Sequence, residues 1–315
     1  MKSLRLKHIF LLAAFAPFCC TPTAQAEPSP ANDTPIIFQP PSPELPALDG
    51  GAALTDAQKR LRTGLLIGGT TAGLLWYGSA HWWKDSMGSS FRTVNEGWFG
   101  QDTYTGGADK FGHMYSTYTG TRLLTRAFEW AGHDRDSAAW LGAATAWGAM
   151  AAVEIGDGLS SHFRFSKEDL IMNTLGTGLG LLLEKKPELD EVLDFRLMYW
   201  PSGDARRLHQ VDIEGDHSGQ TYLFVAKASG IPTLRKIEPL RYLELAVGYG
   251  SRGYEPNVGG ERSRHVYYGI SLNIAEILGA SVFRESGGSR AQKISNGILE
   301  FVQIPGTVAL ADHRL

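Results

Sequence analysis

Three short polar segments interrupt otherwise apolar stretches of the sequence, and they hold the residues best suited to chemistry. The first segment is Asp109-Lys110-Phe111-Gly112-His113. On a helix, Asp109 and His113 are four residues apart and share a face. The carboxylate can then orient the imidazole for general acid or base catalysis. The same spacing is also typical of a structural pair, so both interpretations stay open.

The second segment, Glu154-Ile155-Gly156-Asp157-Gly158, closes the most apolar predicted helix. Glu154 and Asp157 are three residues apart and face the same way, so their charges repel unless a cation, a proton or hydrogen-bond donors separate them. The alternative is a solvated helix end at which Gly156 and Gly158 stop the helix.

The third segment is Ser166-Lys167-Glu168-Asp169, followed by Asn173. Asp169 and Asn173 share a helix face. Ser-x-x-Asp is also a capping box, which gives Asp169 a structural alternative. Asn173 stands between Met172 and Leu175 in an apolar helix, where its amide needs hydrogen-bond partners.

These segments predict one polar cluster between helices. Carboxylates in apolar helices are costly when isolated, so we expect them to be paired or to hold a divalent cation. In a catalytic site His113 would act as general acid or base, and Lys110 would neutralise a phosphate. No organic cofactor is predicted and no catalytic residue is assigned firmly. The candidate residues are Asp109, Lys110, His113, Glu154, Asp157, Asp169 and Asn173.

The elements that must position these residues are helices. Capping and stop signals together with apolar runs predict four of them, at 55–77, 108–131, 136–156 and 166–183. Small residues recur at four-residue spacing, as in Gly64 and Gly68 or Gly176 and Gly180, which is typical of membrane helices. Because the apolar cores are short for a membrane span, a tightly packed soluble bundle resting on a membrane is an equal alternative.

The C-terminal part has the alternating pattern of strands. Segments 222–226, 242–249 and 266–274 place aromatic and branched residues at every second position. The predicted fold class is therefore α+β, a helical bundle rich in small residues followed by a small antiparallel β-sheet. We expect a bundle domain over 51–187 and a strand-rich region over 188–315 that packs on the bundle.

The N-terminus is typical of an exported protein. Basic residues, a short apolar run and Ala24-Gln25-Ala26 predict a signal peptide over 1–26, and a proline-rich linker follows over 27–50. Cleavage after Ala26 would remove Cys19 and Cys20 and leave no thiol for a disulfide or a metal site. The alternative is that Cys19 or Cys20 is a lipidation point.

Several classes of function are not expected. The 315-residue chain has 30 Lys and Arg against 33 Asp and Glu and no dense basic run after the signal segment, so nucleic acid is not an expected partner. The sequence has no Gly-x-Ser-x-Gly elbow, no phosphate-binding Gly-Lys-Ser/Thr loop and no His-Glu-x-x-His helix.

The ordered polar motifs resemble a known family. Asn95-Glu96-Gly97-Trp98 precedes the three segments described above, and the whole set resembles the YfiM-like family of predicted periplasmic lipoproteins or envelope proteins of unknown function. A weaker similarity, to VanZ-like membrane proteins, rests on Asp-Lys-x-x-His followed by Asp-x-x-x-Asn-x-x-Gly. The resemblance implies a periplasmic, membrane-associated protein, at either the inner or the outer membrane.

Three functions fit these observations. We favour a structural or interaction role in the cell envelope, with the polar clusters serving as interhelix hydrogen bonds. The first alternative is an enzyme acting on a lipid or lipid-linked envelope molecule, and the second is a lipid head-group binding module. The expected partner is a membrane lipid or another envelope component, and no oligomeric state is predicted.

Overall fold

The computed structural model describes residues 54–209, 211–254, 256 and 260–315. These residues form a helical bundle followed by a five-stranded antiparallel sheet, which confirms the predicted α+β class. The predicted signal peptide (1–26) and linker (27–50), with Cys19 and Cys20, lie outside the described residues and stay predictions.

Four long helices form the bundle, and three of them begin at a side-chain cap. Thr55 forms a capping box with Gln58, Asp134 accepts a hydrogen bond from the Ser137 amide at 3.0 Å, and Ser166 caps the fourth helix. Shorter helices follow in the C-terminal part. In chain order they are α1 (Asp56–His81), α2 (Ala108–Trp130), α3 (Arg135–Gly158), α4 (Lys167–Lys185), α5 (Pro187–Asp190), α6 (Gly203–Leu208), α7 (Pro232–Arg235), α8 (Ile274–Ala280) and α9 (Arg290–Leu299).

Glycines allow α2, the central helix, to approach its neighbours closely. A Cβ on Gly176 of α4 would overlap the Met114 carbonyl oxygen, and a Cβ on Gly142 of α3 would lie 2.7 Å from the Thr125 amide nitrogen. By contrast, a Cβ on Gly64, Gly68, Gly69 or Gly73 of α1 would meet no atom of the described structure within 4 Å. The small-residue pattern therefore serves packing in α3 and α4 but not in α1.

The sheet is antiparallel throughout and follows chain order. Its strands are β3 (Leu193–Tyr199), β4 (Gln220–Lys227), β5 (Leu243–Arg252), β6 (Ser263–Leu272) and β7 (Val308–Arg314). The first and last of these are absent from the sequence prediction. The predicted strand 266–274 is too long at its end, because Asn273 caps α8 through the Glu276 amide at 3.1 Å. A separate two-stranded pairing joins β1 (Thr93–Val94) to β2 (Phe165–Ser166) in parallel.

Aromatic side chains hold the sheet against α2. The Phe111 ring stacks on Tyr222 at a centroid separation of 5.9 Å, and Tyr118 packs edge-on against Phe195 at 5.7 Å. The Tyr115 hydroxyl donates to the Phe301 carbonyl at 2.9 Å. Because aromatic pairs bury large apolar areas, this contact joins the two parts through one core.

The alternation of β5 and β6 predicts that their apolar residues face the core, but the structure exposes several of these residues. The apolar positions do not lie inside, since Leu245 is 64% exposed and Ile270 is 52% exposed. The buried face carries Glu244 and Ala246 instead. Arg196 of β3 makes this possible, because its guanidinium binds Glu244 at 2.8 Å and so compensates the buried charge.

The first edge of the sheet is covered by a segment from far along the chain. The Leu197 amide donates to the Phe301 carbonyl at 2.9 Å, and the Gln303 amide donates to the Leu197 carbonyl at 3.0 Å. Because the same segment continues into β7, it connects the β7 edge of the sheet to the β3 edge. This closure protects the polar face that carries Arg196.

The outer faces of three helices carry no charge over long stretches. These stretches are 64–80 in α1, 138–153 in α3 and 170–183 in α4. Trp76, Trp140, Trp147 and Leu175 are exposed on them. Among the described residues, the helix Arg135–Gly158 alone is long and apolar enough to cross a membrane, and half of its most apolar window is buried within the protein.

Candidate functional site

The candidate residues meet at one end of the bundle. Asp109, Lys110 and His113 lie in the first turns of α2, Glu154 and Asp157 at the end of α3, and Asp169 and Asn173 in the first half of α4. Contacts between these helix ends, given below, bring the side chains together. We call Asp109, Lys110, His113, Glu154, Asp169 and Asn173 the His113 cluster, and Asp157 lies beside it.

Lys110 is the buried cation of the His113 cluster. Its ammonium donates to Asp169 Oδ1 at 2.6 Å, to Asp109 Oδ2 at 3.3 Å and to Glu96. Burial disfavours the charged form, but Asp109 and Asp169 outweigh it and hold the pKa of Lys110 above its ordinary value. Three carboxylates are therefore gathered around one permanent positive charge.

His113 lies between acidic groups on both sides of its ring. Nδ1 is 3.3 Å from Asn173 Oδ1 and 3.4 Å from Glu154 Oε1. Nε2 is 3.7 Å from Asp109 Oδ1 and 4.0 Å from Asp169 Oδ2, which is too long for hydrogen bonds. Although burial opposes the charge, Asp109 and Asp169 raise the pKa of His113 to about 9. The acidic neighbours therefore favour the protonated form of the ring.

Glu154 and Asn173 have polar atoms without hydrogen bonds. Glu154 is 1% exposed; its Oε2 accepts from the Ser166 amide at 3.3 Å, and its Oε1 accepts no hydrogen bond. Burial raises the pKa of Glu154 to about 8, although nearby His113 lowers it. Asn173 is fully buried, and its Nδ2 has no partner. Such atoms cost about 1–3 kcal/mol each when they stay unsatisfied.

Asp157 lies at the edge of the cluster and binds a different partner. Its Oδ1 accepts a hydrogen bond from Trp83 Nε1 at 2.6 Å. Burial raises the pKa of Asp157 to about 6, against this hydrogen bond and the charge of His113, both of which lower it. Trp83 also covers Gly156, where a Cβ would overlap the indole ring. The end of α3 is therefore packed rather than solvated.

The capping interpretation of the third segment holds for Ser166 only. Ser166 Oγ accepts from the Asp169 amide at 3.3 Å, as an N-cap does. The Asp169 side chain does not complete a capping box, since its carboxylate binds Lys110 instead. Asp169 thus belongs to the His113 cluster.

Two neighbours of the cluster are absent from the sequence prediction of the site. Trp83 follows α1, and Glu96 lies in the loop after β1. The pairing of β1 with β2 holds this loop beside the start of α4, so that Glu96 reaches Lys110. Burial and the charge of Asp169 raise the pKa of Glu96. The sequence feature that points to Glu96 is its position in the motif Asn95-Glu96-Gly97-Trp98.

A second charged network in the same bundle gives an internal comparison. Arg122 binds Glu184 at 3.0 Å, Asp190 at 2.6 Å and Glu300 at 2.9 Å. Arg126 also binds Glu300. These contacts are short and join α2, α4, α5 and the residue after α9, as expected of a structural clamp. The contacts of His113 are longer, and the space among them suits an ion or a single polar group.

Residues 95–185 match the model of a family described as "Predicted periplasmic lipoprotein (DUF2279)". The matched segment contains the whole His113 cluster together with Glu96 and Asp157. No curated protein and no solved structure matches the chain. The family match supports an envelope protein of unknown function with a periplasmic, membrane-anchored location.

Proposed function

We propose that the protein is a membrane-associated envelope protein that binds a polar ligand at the His113 cluster. The observation that carries the proposal is an excess of acid. Among the described residues, Glu96, Asp109, Glu154 and Asp169 form ion pairs with only two basic side chains, Lys110 and His113. The Arg122 network joins three carboxylates to two arginines through contacts of 2.5–3.0 Å, whereas in the His113 cluster four carboxylates share two basic side chains and lie 3.4–4.0 Å from His113 where they face it.

The uncharged helix faces support the membrane association. The stretch 64–80 of α1 would extend about 25 Å at the rise of an α-helix, and it carries open glycines and exposed apolar side chains. Contiguous apolar surface of this size is typical of contact with a membrane or a partner. Exposed Trp76 and Trp140 suit the boundary between hydrocarbon and head groups.

The position of the cluster supports a ligand at the membrane surface. Glu154 directly follows the uncharged stretch of α3, and Asp169 directly precedes that of α4. The His113 cluster therefore lies where the uncharged zone ends, at the level expected for polar head groups. A lipid head group, or the polar part of a lipid-linked envelope molecule, is the ligand that this placement favours.

An enzyme acting on such a molecule is the second candidate. The specific observation in its favour is the pair His113 and Glu154, whose pKa values are raised to about 9 and about 8. His113 Nδ1 lies 3.4 Å from Glu154 Oε1, and a protonated imidazole within reach of a ligand can act as a general acid.

A purely structural role is the remaining alternative, and substitution of His113 separates it from a ligand site. If the cluster only stabilises the fold, His113→Ala should lower the free energy of unfolding by about 1–3 kcal/mol. If it binds a ligand, His113→Gln should leave the fold largely intact and remove the ligand.

The experiment is native mass spectrometry of lipids that co-purify with the full-length protein from the envelope. We expect one lipid class in the wild-type protein and its loss from His113→Gln. The matched control is His265→Gln, because His265 also pairs with a carboxylate, Asp312 at 2.7 Å, but lies on the sheet. Equal lipid content in all three proteins would contradict the proposal.

A further inference from the structure

Three ligand atoms of the His113 cluster converge on one point. One ligand atom from each of Asp109, His113 and Asp169 lies within 4.8 Å of the other two, and His113 Nε2 is 3.7 Å from Asp109 Oδ1 and 4.0 Å from Asp169 Oδ2. Zinc bonds of about 2.0–2.2 Å put the ligand atoms of a tetrahedral site about 3.4 Å apart. The two distances from Nε2 therefore exceed the spacing of a metal site by about 0.3 and 0.6 Å, and neither is a hydrogen bond.

Lys110 positions the two carboxylates without using these atoms. It binds Asp169 through Oδ1 and Asp109 through Oδ2, and the opposite oxygen of each carboxylate is turned towards His113. A carboxylate that is held by one oxygen and presents the other is the usual form of a supported metal ligand.

The far side of the imidazole has the support that a metal-binding histidine needs. Nδ1 faces two oxygens, Asn173 Oδ1 at 3.3 Å and Glu154 Oε1 at 3.4 Å. Acceptors on this side hold one proton on Nδ1, so that a cation which displaces the proton of Nε2 can bind that nitrogen.

Glu154 gives an independent indication of a ligand. It is 1% exposed, and its Oε1 has no hydrogen bond although it lies against His113. A cation on Nε2 makes the Nδ1–H a stronger donor, and this donor lies beside the unsatisfied oxygen. The buried oxygen thus faces a stronger donor when the other side of the ring holds a cation.

We infer that Asp109, His113 and Asp169 bind one divalent transition-metal ion, for which Zn²⁺ is the best match. One imidazole and two carboxylates suit zinc better than calcium or magnesium, which prefer oxygen ligands alone. The side chains of Asp109 and His113 remain 24% and 18% exposed, so a fourth position is open to water or to a ligand oxygen. The inference rests on the proposed function in taking the cluster as a ligand site.

The cation would also connect the cluster to its ligand. The site has an excess of carboxylates, which repel a phosphate, whereas a bound divalent ion attracts one. A phosphate-bearing head group is therefore the ligand class that the loaded site would take.

The test is calorimetric titration of metal-free full-length protein in detergent with Zn²⁺. We expect one ion per chain in the wild-type protein and affinity lower by about tenfold or more in Asp109→Asn and His113→Gln. His265→Gln, which removes the histidine of the His265–Asp312 pair on the sheet, should bind as the wild type does. Circular dichroism checks that each variant is folded.

A second readout does not depend on any variant. Co²⁺ added in place of Zn²⁺ should give visible absorption bands of a site with nitrogen and oxygen ligands. No stoichiometric binding by the wild-type protein, or equal affinity in wild type and His113→Gln, would overturn the inference. If the protein bound no metal but lipid retention still depended on His113, the proposed function would stand without the cation. If neither metal binding nor lipid retention depended on His113, the cluster would be structural.

Discussion

Lys110 and Asp169 form a buried ion pair that joins α2 to α4, with Nζ 2.6 Å from Oδ1. Both side chains are almost fully buried. Removal of one partner from such a pair leaves an uncompensated charge in the interior, which costs far more than the pair itself contributes. The stability of the His113 cluster therefore depends on the Lys110 ammonium.

We expect Lys110→Met to lower the free energy of unfolding by about 3–5 kcal/mol, because Asp169 and Glu96 lose their donor. Lys185→Met is the control, since Lys185 pairs with the exposed Asp136 and should contribute at most about 1 kcal/mol. Chemical denaturation followed by circular dichroism measures both. Equal losses in the two variants would show that Lys110 is not a buried partner.

Gly176→Ala should destabilise the bundle by about 1–3 kcal/mol, because a Cβ at this position meets the Met114 backbone of α2. Gly178→Ala in the same helix meets no atom within 4 Å and should be neutral or stabilising by up to about 1 kcal/mol through helix propensity. Thermal unfolding of the two variants gives the comparison. Tolerance of alanine at both positions would contradict the close approach of α2 and α4.

The Arg122 network predicts a defined loss of stability in acid. Burial opposes ionisation of Glu300, but Arg122 and Arg126 hold its pKa below the ordinary 4.5. Its contribution to stability is therefore present above about pH 4.5 and is lost as the pH falls through the lower folded pKa. Glu184 and Asp190 shift the opposite way because burial dominates there.

Comparison of wild type with Glu300→Gln isolates this contribution. We expect the variant to be less stable at pH 7, and the difference between the two proteins to shrink as the pH falls below 4.5. Urea unfolding at a series of pH values measures it. A constant difference across that range would mean that Glu300 has the same pKa in the folded and unfolded protein.

The uncharged helix faces predict which substitutions release the protein from the membrane. Leu175→Lys places a charge on the exposed face of α4, and a lysine in hydrocarbon costs about 2.5–3.5 kcal/mol. Leu208→Lys changes another exposed leucine outside that face, 42% exposed against 53% for Leu175, and serves as the control. Carbonate washing of envelope membranes should release more of the first variant than of the second. Identical release would assign membrane attachment to another part of the chain.

The N-terminus of the mature protein is a separate prediction. Cleavage after Ala26 makes Glu27 the first residue and removes both cysteines. The lipoprotein description of the matching family favours a lipidated cysteine instead. N-terminal sequencing of protein from the envelope fraction decides between them. A fatty-acylated Cys19 or Cys20 at the N-terminus would replace the helix faces as the main anchor.

Helical periodicity predicts which candidate residues share a helix face, and the structure brings these faces together. Asp109 and His113, and likewise Asp169 and Asn173, share faces because of their spacing, and the apolar context made their burial expected. Glu96 and Trp83 escaped prediction because they lie outside these helices, and only the β1–β2 pairing and the packing on Gly156 bring them close. Such contacts depend on tertiary structure, which spacing along the chain does not encode.

The two missed strands differ in their sequence signal. In β3 the residues Leu193, Phe195, Leu197 and Tyr199 stand at every second position, a signal that the prediction missed, whereas β7 ends in charged residues. The polar face of β3 is nevertheless inside, because Arg196 is compensated by Asp194 and Glu244. The same ion pairs explain why the buried face of β5 is the one with Glu244. A pattern of apolar and polar residues read from the sequence places charged residues on the outside of a sheet. For β5 this assignment is wrong, because the face that carries Glu244 is buried.

The pairing of Leu197 with residues 301 and 303 sets an order of events in folding. The bundle is made of local contacts and can form early, but the first strand of the sheet has no partner on its outer edge until a segment about a hundred residues later has been synthesised. The predicted signal peptide would send the chain through a translocon unfolded, and late completion of the sheet is compatible with that passage. The same connection makes the sheet the slow step, during which its unpaired edge is open to other chains.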